Sequence, residues 1–306
     1  MKKMLSTREV AEFLGVNEKN IYTLVAEKGL PGTKVTGKWL FPLQLVEQWV
    51  ETNTVNHPSP AVEILSSKVL VIAGSNDPLL EKTISRFNRT CSDYLAVFGN
   101  VGSMGGLAAL ADHRCHIAAS HLVQDEDGDY NFAFAGETLQ TMPAVINFCR
   151  RRQGIVTAGG NPKKIKSVAD LAKKGVRIVN RSPATGTRRL LDLKLAAAGV
   201  DGGDIAGYDT IVDRHIDVGL EILADRANAG MAIETAALTL GLDFIPVGWE
   251  RYDLLVAKPN FFDKPVQLFC GLLSEPDFSE TAKTLGGYDT GISGRIVFPE
   301  QQAGGV

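Results

Sequence analysis

The stretch Val179-Asn180-Arg181-Ser182-Pro183-Ala184-Thr185-Gly186-Thr187-Arg188-Arg189-Leu190-Leu191 decides how most of this chain is read. Just upstream, Gly175-Val176-Arg177-Ile178-Val179 is β-branched and bounded by turn residues, which predicts a strand. Downstream, Leu190, Leu191, Leu193 and Leu195, then Ala196 to Ala198 before Gly199, predict a helix from Thr187 with a glycine stop. A Ser/Thr/Gly loop at a helix start aims unpaired backbone N–H groups at one spot, with the positive end of the helix dipole behind them. Arg181 adds a planar cationic fork beside it. The pattern suits a pocket for a small anion; taken alone, it also suits an ordinary capped helix after a turn.

Outward from this stretch the same grammar repeats. Val69-Leu70-Val71-Ile72-Ala73 reads as a buried parallel strand, Gly74-Ser75-Asn76-Asp77-Pro78 as a loop and cap, and Leu79 to Phe87 as a helix. Tyr94 to Phe98 is a second strand, Gly99 to Gly106 a small-residue loop, Leu107 to Asp112 a helix, and His116 to Ser120 a third strand. Alternation of this kind predicts an α/β architecture with right-handed crossovers, whose ligands bind at the carboxyl ends of strands. Three of those ends carry hydroxyl or glycine loops, at Ser75, at Ser103 and from Arg181 to Thr187. Together they offer many donors and few acceptors, which predicts an anionic ligand.

The first fifty residues follow a different rule. Ser6 or Thr7 caps a short helix with Val10, Ala11, Phe13 and Leu14 on its apolar face; Gly15-Val16-Asn17 is a tight turn. Asn17 caps a second helix, Glu18 to Glu27, with Ile21, Leu24 and Val25 inward. Gly32 to Val35 and Gly37 to Pro42 form a two-stranded wing, and Leu43 to Val50 a third helix. This is helix–turn–helix spacing with a glycine in the turn. Residues 1–55 hold seven Lys/Arg against six Asp/Glu, a small excess for a monomer on DNA, which predicts binding as a homo-oligomer, a dimer or larger.

Two resemblances rest on these residues. The order Leu5-Ser6-Thr7-Arg8-Glu9-Val10-Ala11, Leu14-Gly15-Val16, Ile21-Tyr22, Gly29-Leu30-Pro31, Trp39-Leu40-Phe41 and Val46 to Trp49 resembles the excisionase-like, MerR-type winged helix–turn–helix domain. That resemblance implies that Glu18, Lys19, Asn20, Tyr22 and Thr23 face the major groove of operator DNA and that Lys34 and Lys38 meet phosphates. Gly154-Ile155-Val156, Gly160-Asn161-Pro162, Ala169-Asp170-Leu171, Gly175 to Arg181 and Gly186-Thr187-Arg188 resemble the type II periplasmic-binding-protein fold, nearest its tungstate- and molybdate-binding branch. Gly102 to Leu107, His121-Leu122 with Gly128 to Asn131, and Leu242 to Pro246 with Glu250 to Leu254 belong to the same pattern. It implies two α/β lobes around a cleft, with an oxyanion held by Ser75, Asn76, Ser103, Arg181, Ala184, Gly186 and Thr187. Asn76 stands where such proteins often carry a further hydroxyl.

The predicted organisation is a DNA-binding domain at 1–53, a Pro-bearing linker at 54–66, and a ligand-binding domain at 67–290. The last divides into lobe 1 (about 67–150 and 252–290) and lobe 2 (about 151–251), with a frayed tail at 291–306. Net charge is −3 over 306 residues, so no global field advertises nucleic acid. Nothing is long and apolar enough to span a membrane, and the first residues hold no signal core; a cytoplasmic location is expected. Cys91, Cys115, Cys149 and Cys270 form no Cys-x-x-Cys pair and read as reduced. No metal spacing, nucleophile elbow or acid–base pair suggests an enzyme or a bound cofactor.

The remaining polar features receive structural readings. Asp125 to Asp129 lacks the carboxylate a calcium loop needs at its twelfth position and reads as an acidic turn. His121 reads as structural, Arg150-Arg151-Arg152 as a solvated or interface-forming run, and Arg251-Tyr252-Asp253 as support for the return between lobes. A tungstate- or molybdate-sensing regulator is the leading expectation. Alternatives are a regulator sensing a larger anion such as a molybdenum-cofactor precursor, a transporter's solute receptor, and a recombination accessory factor.

Overall fold

The computed structural model describes residues 4–54, 68–123, 130–139 and 141–299. The linker expected at 54–66 and the acidic turn at Asp125 to Asp129 lie, apart from Thr54, outside the described residues. The chain falls into two compact units, Met1–Ala61 and Val62–Val306.

The first unit runs β1 (Met4–Ser6), α1 (Thr7–Leu14), α2 (Glu18–Lys28), β2 (Thr33–Val35), β3 (Lys38–Pro42) and α3 (Leu43–Thr52). Ser6 and Glu9 form a reciprocal capping box at α1, and Gly15 ends that helix in the left-handed region at φ 66°. Asn17 caps α2 through the Asn20 N–H. The wing is as expected, with one addition: β1 pairs antiparallel with β3, making three strands in the order β1-β3-β2. A three-residue strand is too short to show a period in sequence. Leu5, Val10, Ala11, Ile21, Leu30, Phe41 and Val46 form the core; Trp39 and Trp49 pack against it. Phe13, expected inward, is half exposed, because α1 has only eight residues and buries Val10 and Ala11.

The second unit is built on one ten-stranded sheet. β4 (Val69–Gly74), α4 (Pro78–Thr90), β5 (Leu95–Asn100), α5 (Gly102–Ala111), β6 (Ile117–Ser120) and α6 (Phe132–Thr138) come first. β7 (Ala144–Thr157) then crosses to the second half: β8 (Ile178–Arg181), α7 (Gly186–Ala197), β9 (Ile211–Val212), α8 (His215–Leu223), β10 (Ala229–Ile233) and α9 (Glu234–Leu240). β11 (Asp243–Val256) returns, followed by α10 (Lys264–Leu272), α11 (Pro276–Leu285), β12 (Tyr288–Asp289) and β13 (Ile296–Val297). The main order is β5-β4-β6-β11-β7-β10-β8-β9, with β12 and β13 also on β7. β7 and β11 pair antiparallel along their length. Their outer ends carry separate parallel sets, β4 to β6 on one side and β8 to β10 on the other. Two lobes therefore share a two-strand spine, and separate apolar clusters fill each lobe.

Three expectations are corrected. Gly102 to Gly106 is the first turn and a half of α5 rather than a loop; Gly106 packs where a Cβ would meet Gly74 Cα at 2.8 Å, so small residues here serve close helix–strand approach. The strand near 175 starts later, at Ile178, since Gly175 turns at φ 80°; Arg181 is thus its last residue. The tail is not wholly frayed: β13 pairs with β7, and the Gly294 N–H donates to the Asn147 carbonyl at 2.8 Å. Two-residue strands leave no periodic signature.

Candidate anion-binding site

Strand ends and helix starts gather around one buried ring. His121 follows β6 and is 1% exposed. Its Nε2 hydrogen-bonds Ser75 Oγ at 3.0 Å, its Nδ1 meets Glu250 Oε2 at 3.0 Å, and its backbone N–H donates to Ser103 Oγ at 3.3 Å. Gly186, the first residue of α7, lies against the same ring. His215, the first residue of α8, has its ring centroid 6.5 Å away. Ser75 precedes α4 and Ser103 stands in the first turn of α5. The starts of four helices from two lobes therefore surround His121.

A second layer ties this group to the spine. Gln153 on β7 donates to both Thr187 Oγ1 (3.0 Å) and Glu250 Oε1 (2.8 Å). Arg151, also on β7, is fully buried, pairing Glu250 through Nε and Asp77 Oδ2 through Nη1 at 2.8 Å. Its guanidinium lies 4.2 Å from the Tyr252 ring centroid, and the Tyr252 hydroxyl donates to the Ser75 carbonyl at 2.5 Å. Arg151 overturns the solvated reading of Arg150 to Arg152. On a strand side chains alternate, so Arg150 and Arg152 face out, partly exposed, while Arg151 points in. Arg251 pairs with Asp253 at 2.8 Å, and Asn131 and Asn147 both donate to that carboxylate; this supports the return strand.

The seven expected ligand residues sort by depth. Ser75, Asn76, Ser103, Arg181, Gly186 and Thr187 are buried, and Ala184 is exposed. Asn76 turns its amide to Glu81 at 2.5 Å. Arg181 is 1% exposed; its Nη2 donates to the Asp213 carbonyl at 2.8 Å, while Nε and Nη1 have no hydrogen-bond partner among the described residues. Arg151 Nη2 and both ring nitrogens of His215 are likewise unpartnered there. Buried polar atoms are normally satisfied, so this concentration of free donors is chemically distinctive. At the rim, Asn100, Val101 and Gly102 of one lobe face Ser182, Ala184, Thr185 and Asp213 of the other across a cavity of about 290 Å³.

Burial disfavours every charge here, and neighbours decide which survive. Burial would raise the Glu250 pKa, but Arg151, then His121, pulls it down to about 2. Burial works against Arg151 too, yet Glu250 and Asp77 keep it firmly charged. Arg181 has no carboxylate partner; burial and Arg151 lower it to about 10, which leaves it cationic at neutral pH. Burial lowers both histidines, His215 further because Arg181, Arg151 and His121 surround it.

Sequence reasoning found the serines, Thr187 and Arg181, and it undervalued His121, His215, Arg151, Gln153 and Glu250. The usable signal was position: His121 directly follows an apolar strand, where open α/β sheets place their ligands. Nothing local marked Gln153 or Glu250.

On the other unit, Glu18, Lys19, Asn20, Tyr22 and Thr23 are exposed on α2, and Lys34 and Lys38 are exposed on the wing strands.

The fold and the buried cluster together describe a helix–turn–helix protein carrying a two-lobed ligand-binding unit, the layout of a DNA-binding regulator. The chain belongs to the family of the PBP superfamily domain, whose model matches residues 84–274; a helix-turn-helix domain model matches residues 4–54. A Bacillus subtilis (strain 168) protein, the uncharacterized protein YvgK, is 27% identical over 298 residues, covering 94% of this chain and 96% of its own. The molybdate-binding protein ModA of Mycobacterium tuberculosis is 32% identical over 98 residues, 31% of this chain and 34% of that protein. Among solved structures, a phosphate-bound putative phosphate transporter substrate-binding protein from Clostridium perfringens has a TM-score of 0.56 at 12% identity, covering 72% of this chain and 98% of that one. A tungstate ABC transporter structure from Geobacter sulfurreducens has a TM-score of 0.51 at 17% identity, covering 71% and 98%. At such identities these likenesses concern the fold. No helix among the described residues is long and apolar enough to cross a membrane.

Proposed function

We propose that the chain is a cytoplasmic, ligand-responsive transcription regulator that senses a small oxyanion, tungstate or molybdate, and binds operator DNA as a dimer or larger homo-oligomer. One observation carries the ligand reading: Arg181 is buried with Nε and Nη1 unpartnered, beside Arg151 Nη2 and His215, which are unpartnered too. A buried cation without a carboxylate is costly unless an anion joins it. Ser75, Ser103 and Thr187 supply hydroxyls, and the start of α7 supplies backbone donors and dipole. Donors from both lobes would then favour their closed arrangement. An effect on DNA requires that the anion bind the DNA-competent and incompetent states with different affinity. On DNA, Glu18, Lys19, Asn20, Tyr22 and Thr23 would face the major groove and Lys34 and Lys38 the phosphates. We assign no reaction.

The test is calorimetric titration of the folded chain with tungstate, molybdate, sulfate and phosphate in parallel. Micromolar or tighter binding of tungstate or molybdate, above sulfate, supports the reading. No binding below millimolar by any of the four removes it.

A second reading, a larger organic anion such as a molybdenum-cofactor precursor, is favoured by a cavity of about 540 Å³ beside the cleft. Met104, Leu122 and Phe134 line it from one lobe and Pro183, Thr185 and Leu193 from the other. Saturation by an inorganic oxyanion alone, with full effect on operator affinity, would exclude it.

A further inference from the structure

Building on the oxyanion reading, we propose that His215 directly contacts the bound anion and takes up a proton as the anion enters, so that the site binds anion and proton together. His215 is 1% exposed, and neither ring nitrogen has a hydrogen-bond partner among the described residues. Two unpartnered nitrogens on one buried ring are out of keeping with protein interiors. The ring stands 6.5 Å from His121, at the centre of the residues from both lobes.

The charged groups around His215 are accounted for element by element. Arg181 on β8 and Arg151 on β7 act on it as cations. On its own helix, Asp217 is engaged by Arg214 and Glu221 by Arg226. Glu250 on β11 is held by Arg151, Gln153 and His121. Glu234 on α9 is paired with Arg152, and Asp213, beyond β9, meets Arg181 through its carbonyl. No hydrogen bond from a carboxylate reaches the His215 ring among the described residues.

Charge balance then gives the proton its role. Arg151 and Arg181 stand against Asp77 and Glu250, so the buried charges cancel before a ligand arrives. A dianion adds two negative charges to a dry, balanced site, which is costly without compensation. His121 cannot compensate by gaining a donor, because Nδ1 and Nε2 are already used by Glu250 and Ser75. His215 can. A neutral imidazole presents one donor and one acceptor, and an oxyanion offers acceptors only; protonation makes both nitrogens donors.

The experiment is calorimetry of the full chain with tungstate at pH 7.5 in two buffers of different ionisation enthalpy, repeated from pH 7 to 8.5. The expected result is uptake of about one proton per tungstate, with affinity falling about tenfold per pH unit. His215→Gln should lose the uptake and the pH slope and bind at least about tenfold more weakly at pH 7. Tungstate binding without proton uptake overturns the proposal, as does a His215→Gln chain with the parent's affinity and slope. The buffer comparison uses the unaltered chain, so a misfolded variant leaves it decisive. Failure of all four anions to bind is a different outcome and removes the oxyanion reading, and this proposal with it.

Discussion

Gly186 meets His121 with no room for a side chain: a Cβ on the glycine would lie 2.4 Å from the ring Nδ1 and 2.6 Å from the His121 carbonyl oxygen. The first turn of α7, in one lobe, thus rests directly on the ring around which the other lobe gathers Ser75 and Ser103. Arg189, one turn on, donates to the Val123 carbonyl at 2.7 Å and lies 5.2 Å from the Phe134 ring centroid, so the same helix grips the opposite lobe twice.

Gly186→Ala should therefore force the lobes apart. Overpacking of this kind costs about 1–3 kcal/mol. The expected result is a lower melting temperature for the ligand-binding unit and at least tenfold weaker tungstate binding, roughly the affinity equivalent of the smaller figure. Calorimetry checks it; unchanged affinity would mean that this contact is absent from the bound form.

The two buried arginines should behave differently. Arg151→Ala leaves Asp77 and Glu250 buried without their cation and should cost about 3–5 kcal/mol. Arg150→Ala, at a half-exposed position, should change stability by less than about 0.5 kcal/mol. Urea unfolding of both variants measures the difference; equal losses would contradict the inward setting of Arg151.

Arg181→Ala should spare stability and remove binding. Arg181 has no carboxylate to orphan and gives up one hydrogen bond, to the Asp213 carbonyl. Its loss should change unfolding free energy by less than about 1.5 kcal/mol, abolish oxyanion binding and leave basal DNA binding intact. A variant with parental tungstate affinity takes Arg181 out of the site.

Acid should destabilise the ligand-binding unit in two stages. His121 and His215 bind protons less readily folded than unfolded, so stability falls as pH drops below the ordinary histidine value of 6.5. Glu250, held near 2 when folded against 4.5 ordinarily, contributes stability above about pH 4.5 and loses it as pH falls toward 2. Urea midpoints from pH 8 to 4 should decline from about pH 6.5 downward. His215→Gln should flatten the upper part of that decline; a flat profile down to pH 5 in the parent would refute the neutral histidines.

Lys34→Ala should weaken binding to every duplex alike and lower the salt slope by about 0.9 for one lost phosphate contact. Affinities at several salt concentrations measure it. A slope unchanged within error would mean that Lys34 touches no phosphate.

Much of this architecture was legible locally. Asn17 and Ser6 announce their helices because a cap is satisfied within a few residues. The run Val69 to Ala73 announces a buried strand because both of its faces are covered. Arg151 was misread because three adjacent arginines look like solvent; only the pairing of β7 with β11 brings Glu250 opposite it. Glu250 itself stands in a stretch with no motif, 129 residues from His121.

The amino-acid order alone determined the elements, the change of grammar after the first fifty residues, and the hydroxyl and glycine loops at Ser75, Ser103 and Thr187. Those follow from dihedral preferences, caps and hydrophobic period, which act over a few residues. Only the tertiary structure decided that His121 stands among all these loops, that Arg151 is neutralised by Asp77 and Glu250, and that Arg181 and His215 keep free donors. Burial and charge compensation are properties of neighbours in space, and here those neighbours come from both lobes and the two strands that join them.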